Sequence, residues 1–384
     1  MNKIFKFFLY VILNFLFMSF SSSADEAKIK IGLLAPLTGD NSVLGNQIVK
    51  AVQLALKEIN TDQIEIFPRD TKSDPNIALR SAIELQQNGI SLVIGPIFYK
   101  SLTYLNQVND VTFLSLTNKT LDLPKNVISS GINSASQINA IKKFVKLKKI
   151  QKSIFLIPNS NYDLEIEKGI KSSKIKVFKK HHYDIEPTKL TQQIEKITNY
   201  KRRKQNLEDE IKRVENSDLI DKERQLEKLK KKYTIGNVNF DSVIIADFDE
   251  SLKSVITSLL YTDVSPKNKY IITFNQWFDE SLQKETTLQP IYYPSINKKS
   301  LDDFKKKFFK EFNQDTNHLS LLSYDLVGLV YYLSLNNNFT EINKSFRLKS
   351  SFKGKIGIFD IEDNKINHRL NFYQVDKGVL KEIF

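Results

Sequence analysis

The residues of this chain that could do chemistry are hydroxyls, amides and aromatics set in short loops. They do not form a catalytic set. Four histidines are present and no cysteine. His181 and His182 are adjacent and sit beside Lys179 and Lys180, a poor setting for a metal cation; His318 and His368 stand alone in the sequence. Without cysteine there is no thiolate nucleophile, no thiolate-bound zinc, no iron–sulfur cluster and no disulfide framework. The spacings H-E-x-x-H, G-x-S-x-G, G-x-x-x-x-G-K-[ST] and G-x-G-x-x-G do not occur. No catalytic residue, metal site or cofactor is therefore expected, and the chemistry that remains is binding. The net charge of +13 rests on 57 Lys and Arg against 44 Asp and Glu, and only eight of the cations are Arg. Readers of nucleic acid lean on the planar guanidinium fork, so no nucleic-acid partner is expected.

The loops hang on alternating strands and helices. Ile29–Ala35 is an almost unbroken apolar run, as in a buried strand. Ile48, Val52, Ala55 and Ile59 then recur on one face of a helix. Ile64–Phe67 is a second strand, and Asp74-Pro75 opens a helix that Gly89 closes. Strands follow at 91–94, 111–116, 153–157, 242–246 and 270–273, with helices near 161–172, 249–261, 301–313 and 320–335. The C-terminal segment reads as a hairpin or meander turning at Asp363-Asn364. Repeated strand–helix units predict mostly parallel sheets covered by helices on both faces. The 384 residues are too many for one such core, so two lobes are expected.

Two segments stand outside the alternation. Residues 1–24 carry Lys3 and Lys6, an apolar run and Ser22-Ser23-Ala24, the layout of a cleavable secretory signal peptide without a lipid-attachment cysteine. A periplasmic location is expected. Residues 191–235 carry thirteen Lys and Arg and no Gly or Pro before Tyr233. Leu207, Ile211 and Val214, then Leu226, Leu229 and Tyr233, keep helical spacing on a narrow stripe. That predicts a charged helical hairpin, and Lys201, Arg202, Arg203 and Lys204 at its start are the candidates for docking a partner.

In doubly wound sheets, ligands lie beyond the carboxyl ends of the strands. Here those loops are 36–42, 95–101, 115–118, 158–162, 247–251 and 274–277.

Ile31-Gly32-Leu33-Leu34-Ala35-Pro36-Leu37-Thr38-Gly39 with Gly45, then Phe67-Pro68-Arg69-Asp70-Thr71, Asp74-Pro75 and Val93-Ile94-Gly95-Pro96, resembles the type I periplasmic binding proteins of the leucine/isoleucine/valine-binding family. The resemblance implies an α/β fold of two doubly wound lobes, three hinge crossovers and a cleft between the lobes. It implies crossings near 133, 274 and 350. The first lobe would then be 25–133 with 275–350, and the second 134–274 with 351–384, carrying the insert. The cleft would be lined by Thr38, Ser42, Phe98, Tyr99, Ser115, Thr117, Tyr162, Phe248, Asp249, Asn275 and Trp277. Within this fold, Gly95-Pro96-Ile97-Phe98, the charged insert, Tyr261-Thr262-Asp263-Val264, Trp277 and Ser323-Tyr324-Asp325 are similar to the penicillin-binding protein activators. That implies a non-enzymatic regulator whose partner is a peptidoglycan synthase. The alternative is a solute-binding protein that delivers a small molecule, such as a branched-chain or other amino acid, to an ABC transporter permease.

Overall fold

The computed structural model describes residues 28–336, 345–346, 349–362 and 365–384. The signal peptide expected at 1–24 and the turn expected at Asp363-Asn364 lie outside the described residues. The first lobe is begun by β1 (Ile29–Ala35), α1 (Ser42–Ile59), β2 (Ile64–Asp70), α2 (Pro75–Gln87), β3 (Leu92–Ile94), β4 (Thr112–Ser115) and β5 (Val127–Ser129). The chain then crosses to form α3 (Ser134–Leu147), β6 (Ser153–Pro158), α4 (Asp163–Ser173), β7 (Lys179–Tyr183), α5 (Pro187–Ile197), α6 (Tyr200–Glu215), α7 (Lys222–Lys230), β8 (Ser242–Ile245), α8 (Asp249–Tyr261), β9 (Tyr270–Thr273), α9 (Glu280–Lys284) and β10 (Ile291–Ser295). It returns for α10 (Lys298–Phe312), α11 (His318–Asn336), β11 (Ser350–Lys353), β12 (Ile358–Glu362) and β13 (Lys365–Arg369). It ends in the second lobe with β14 (Asn371–Asp376) and β15 (Val379–Glu382). The sheet orders are β11-β12-β13-β5-β4-β3-β1-β2 and β15-β14-β10-β9-β8-β6-β7.

Local signals explain most of these elements. The Asp74 carboxylate accepts from the N–H groups of Asn76 at 2.8 Å and Ile77 at 3.0 Å, which starts α2 with Pro75 in its first turn. Gly45 allows α1 to begin against the preceding loop, because a Cβ there would lie 1.9 Å from the Pro36 carbonyl oxygen. The long apolar helix α11 is a core element: Leu321, Leu326, Val327, Leu329 and Val330 are fully buried, and it packs along α1.

Two crossings fall elsewhere than 274 and 350. β10 pairs with β9 and β14, so 275–297 stays in the second lobe, and β11–β13 join the first sheet through Lys365 opposite Ser129. The chain therefore crosses after β10 and again at Leu370. Short apolar strands carry no mark of the sheet they will join; their pairing partners decide it. The crossings are laced together. Asn133 Nδ2 donates to the Ile366 carbonyl at 3.0 Å, and a ring nitrogen of His368 lies 2.8 Å from the Ser130 carbonyl. The Tyr373 hydroxyl donates to the Ile296 carbonyl and accepts from the Lys298 N–H.

The insert is a helical hairpin, α6 against α7, sealed by Leu207, Val214 and Leu229. Arg203 does not belong to its exposed face. It is 7% exposed, and its guanidinium donates to the Gly236 carbonyl at 3.0 Å, the Thr262 carbonyl at 2.9 Å and the Thr234 hydroxyl at 2.7 Å. Lys201, Arg202 and Lys204 remain exposed. The helical period turns only one of the four neighbouring cations inward, and Asp263, 3.7 Å from the guanidinium, meets it there.

Candidate functional site

A cavity of about 300 Å³ lies between the lobes. The first lobe lines it with Phe98 and Tyr99 after β3, Thr117, Asn118 and Lys119 after β4, and His318 at the start of α11; the second lobe contributes Trp277 after β9. Gly131, at the first crossing, lets the chain pass close under Thr117: a Cβ there would lie 2.5 Å from the Thr117 carbonyl oxygen.

The polar groups near the cavity are largely committed to their own chain. The Ser115 hydroxyl is fully buried; it donates to the Pro96 carbonyl at 2.7 Å and accepts from the Thr117 N–H at 3.3 Å. The Thr117 hydroxyl accepts from the Lys119 N–H at 3.3 Å. Asn275 shapes the loop behind Trp277: its side-chain oxygen accepts from the Trp277 N–H and the Ser295 hydroxyl, and its own N–H donates to Gln137. Trp277 and Phe278 both take positive φ, 51° and 60°. Such backbone costs of order 1 kcal/mol per residue and persists where the surroundings enforce it. Trp277 stacks on His318, with ring centroids 3.5 Å apart and planes 10° from parallel. Burial and the charge of Lys305 hold the His318 imidazole neutral, its pKa lowered to about 4.

A second contact joins the lobes. Glu165, on α4 and 2% exposed, accepts from the Thr120 N–H at 2.7 Å, the Thr120 hydroxyl at 2.8 Å and the Leu121 N–H at 2.7 Å. All three donors belong to the loop after β4 in the first lobe. Lys168 donates back to the Thr120 carbonyl at 2.9 Å, and Lys119 to the Asn161 carbonyl at 3.1 Å. Among the described residues no carboxylate lines the cavity. It offers aromatic faces, an amide, a hydroxyl and the cation of Lys119, whose ammonium lies 4.6 Å from the Tyr99 ring centre. Chemically it suits an apolar or weakly anionic group and has no counter-charge for an ammonium.

Of the residues expected at the cleft, Phe98, Tyr99, Thr117 and Trp277 line the cavity together. Ser115 and Asn275 lie just behind it. Tyr162 packs against the core with its hydroxyl buried. Thr38 is held by Asp70 through a 2.5 Å hydrogen bond, and Ser42, Phe248 and Asp249 sit at the starts of α1 and α8; none of these four lines the cavity. Lys119, His318 and Glu165 were missed by sequence reasoning. No local pattern marks them, since each works with residues about 40 positions away.

Two lobes of mostly parallel sheet, three laced crossings and a cavity between the lobes define the type I periplasmic binding proteins. The profile of the periplasmic binding protein family matches residues 28–200, a little under half of the chain. Leu/Ile/Val-binding protein homolog 1 of Brucella abortus is 34% identical over 84 residues, which is 20% of this chain and 22% of that protein. The match thus spans about a fifth of that relative. Among solved structures, LivJ of Streptococcus pneumoniae, in complex with isoleucine, superposes with a TM-score of 0.54 at 19% identity over 93% of this chain and 99% of its own. The C-domain of LpoA from Haemophilus influenzae, a regulator of PBP1A, superposes with a TM-score of 0.62 at 15% identity over 92% of this chain and 100% of its own.

Proposed function

We propose that this protein is a non-enzymatic, periplasmic regulator of peptidoglycan synthesis that acts by binding a penicillin-binding-protein synthase. The observation that carries the reading is the Glu165 clasp. A solute carrier of this class closes its lobes on a ligand. Here a buried carboxylate of one lobe already takes three hydrogen bonds from the other. The cavity beside it has no acidic group to receive an amino acid's ammonium. The likeness to the LpoA C-domain supports the same reading. The exposed cations Lys201, Arg202 and Lys204 at the hairpin root are the docking residues, without Arg203.

The test is a binding and activity assay with the peptidoglycan synthase of the same organism. The protein should bind it and raise its rate of glycan polymerisation or cross-linking. Lys201→Glu, Arg202→Glu and Lys204→Glu together should weaken binding at least about tenfold, with a salt dependence. No binding to any such synthase, together with a thermal shift on adding an amino acid, would reverse the conclusion.

One observation favours a second reading, the cavity itself. A solute-binding protein for an ABC transporter would use it for a small apolar carboxylate rather than a zwitterion. Thr117→Val would then cost about 1–3 kcal/mol of solute binding, read by calorimetry, while leaving synthase binding unchanged.

A further inference from the structure

We propose that the second lobe carries, at the end opposite the cleft, a surface that docks on anionic phospholipid membranes. It consists of a lysine field around Leu147 and Phe178. The inference does not depend on which partner or solute the cleft and hairpin serve.

β6, β7, β8 and β9 run parallel, so the residues leading into them share one edge of the sheet. Hydrogen bonds tie that edge together: Phe178 N–H to the Ser153 carbonyl, Asp241 N–H to the Lys152 carbonyl and Tyr270 N–H to the Asp241 carbonyl. α3 ends at Leu147, just before β6, and α4 ends at Ser173, just before β7, so both helices bring their C-termini to the same edge. The cleft loops leave from the opposite ends of these strands.

Residues 142–152 and 171–180 hold eleven Lys and no Asp or Glu. All eleven are exposed, and among the described residues only Lys180 forms an ion pair, with Glu167. The carboxylates at this edge are already engaged. Asp241 accepts from the Gln151 and Lys152 N–H groups, and Asp263 from the Thr234 hydroxyl beside Arg203. Within the lysines two apolar side chains stand out of the surface, Leu147 at 56% and Phe178 at 38% exposed. The ammonium groups of Lys152 and Lys179 lie 5.3 and 5.7 Å from the Phe178 ring centre.

Charge complementarity and composition choose the occupant. A protein interface gains register from mixed charges, and the hairpin, with both signs along its helices, has them. This field has one sign, no Arg fork and no polar pattern to read. Exposed lysines around an exposed Leu and Phe match the headgroup and upper acyl region of an anionic bilayer, where each Lys adds attraction and the apolar tips insert.

The experiment is vesicle flotation with the chain from residue 25, which holds every strand and helix of both lobes. Vesicles of phosphatidylcholine containing about a third phosphatidylglycerol should carry the protein, pure phosphatidylcholine should not, and raised salt should release it. Lys146→Glu, Lys149→Glu, Lys176→Glu and Lys179→Glu together should lower binding at least about a hundredfold. Leu147→Ser with Phe178→Ser should weaken it severalfold with the charge untouched. Circular dichroism and melting temperature should match the parent for both variants, because every changed residue is exposed. Equal binding to neutral vesicles would overturn the proposal, as would no binding to anionic ones. Unchanged binding by the Leu147→Ser, Phe178→Ser protein together with displacement by soluble polyphosphate would also overturn it, in favour of an acidic polymer or protein.

Discussion

The clasp between the lobes and the root of the hairpin use the same device with opposite charge. In the cleft the buried carboxylate of Glu165 holds two rigid bodies together. At the hairpin the buried guanidinium of Arg203 holds an insert to its lobe. The difference lies in what surrounds each. Glu165 meets two backbone N–H groups and a hydroxyl, all from one loop. Arg203 meets carbonyls, a hydroxyl and the carboxylate of Asp263, from the segment that leaves the hairpin and from the end of α8. Losing Glu165 should therefore free a motion, whereas losing Arg203 should unseat structure. Charged residues that look functional in sequence are here divided by burial: the buried ones join parts of the fold, and their exposed neighbours are the ones proposed for docking.

The sharpest way to break this contrast is Arg203→Ala. It leaves three acceptors and a carboxylate facing an empty site, and should cost about 3–5 kcal/mol in urea unfolding. Limited proteolysis should then cut first in the hairpin. Unchanged stability would mean that the hairpin root holds without its guanidinium.

The hinge tests a third buried group by pH. His368 is 3% exposed, and burial lowers its pKa from 6.5 to about 4. Between those values the unfolded chain takes up a proton that the fold does not. Stability is thus full above pH 6.5 and is lost as pH falls, by about 3 kcal/mol at pH 4. His318 adds to the loss. Asp325 opposes it, since burial pushes its carboxyl up to about 6 against two backbone donors, so the fold takes up that proton first and gains stability as pH falls through the same range. A net fall of about 3 kcal/mol in unfolding free energy from pH 7 to pH 4 is expected. A rise would show that the hinge imidazole is charged in the fold.

Glu165→Gln should have a smaller effect on stability, about 1–3 kcal/mol, because the amide keeps an acceptor. Its signature is geometric. The radius of gyration from small-angle scattering should grow, and amide exchange at Thr120 and Leu121 should speed up. Arg203→Ala should move neither. Smallest of all is the stability change on reversing Lys201, Arg202 and Lys204, within about 0.5 kcal/mol, since exposed charges carry little folding energy. A larger loss would place them in the fold rather than at a docking face.

Much of the fold was legible because its signals are local. Asp74-Pro75 named the start of α2, the run Ile29–Ala35 named a buried strand, and the stripe of Leu207, Val214 and Leu229 named a hairpin. About half of the candidate cavity was legible through the rule that loops at strand ends bind. Phe98, Tyr99, Thr117 and Trp277 sit on such loops and line it, while Thr38, Ser42, Phe248 and Asp249 sit on such loops and do not. The rule gives the end of the sheet; the twist of the sheet and the tilt of one lobe on the other select the loops that meet.

By itself the sequence determined the class of the fold: alternating elements of the right period, no cysteine to cross-link them and a charged insert. Those properties depend on neighbours within a few positions. The tertiary structure alone decided which sheet received β10 and which received β13, which of four adjacent cations turned inward, and that Glu165 and His318 would bind one lobe to the other. These are long-range choices. Each is made by partners tens to hundreds of residues away, whose burial and hydrogen bonds outweigh the weak local preferences of the residues they select.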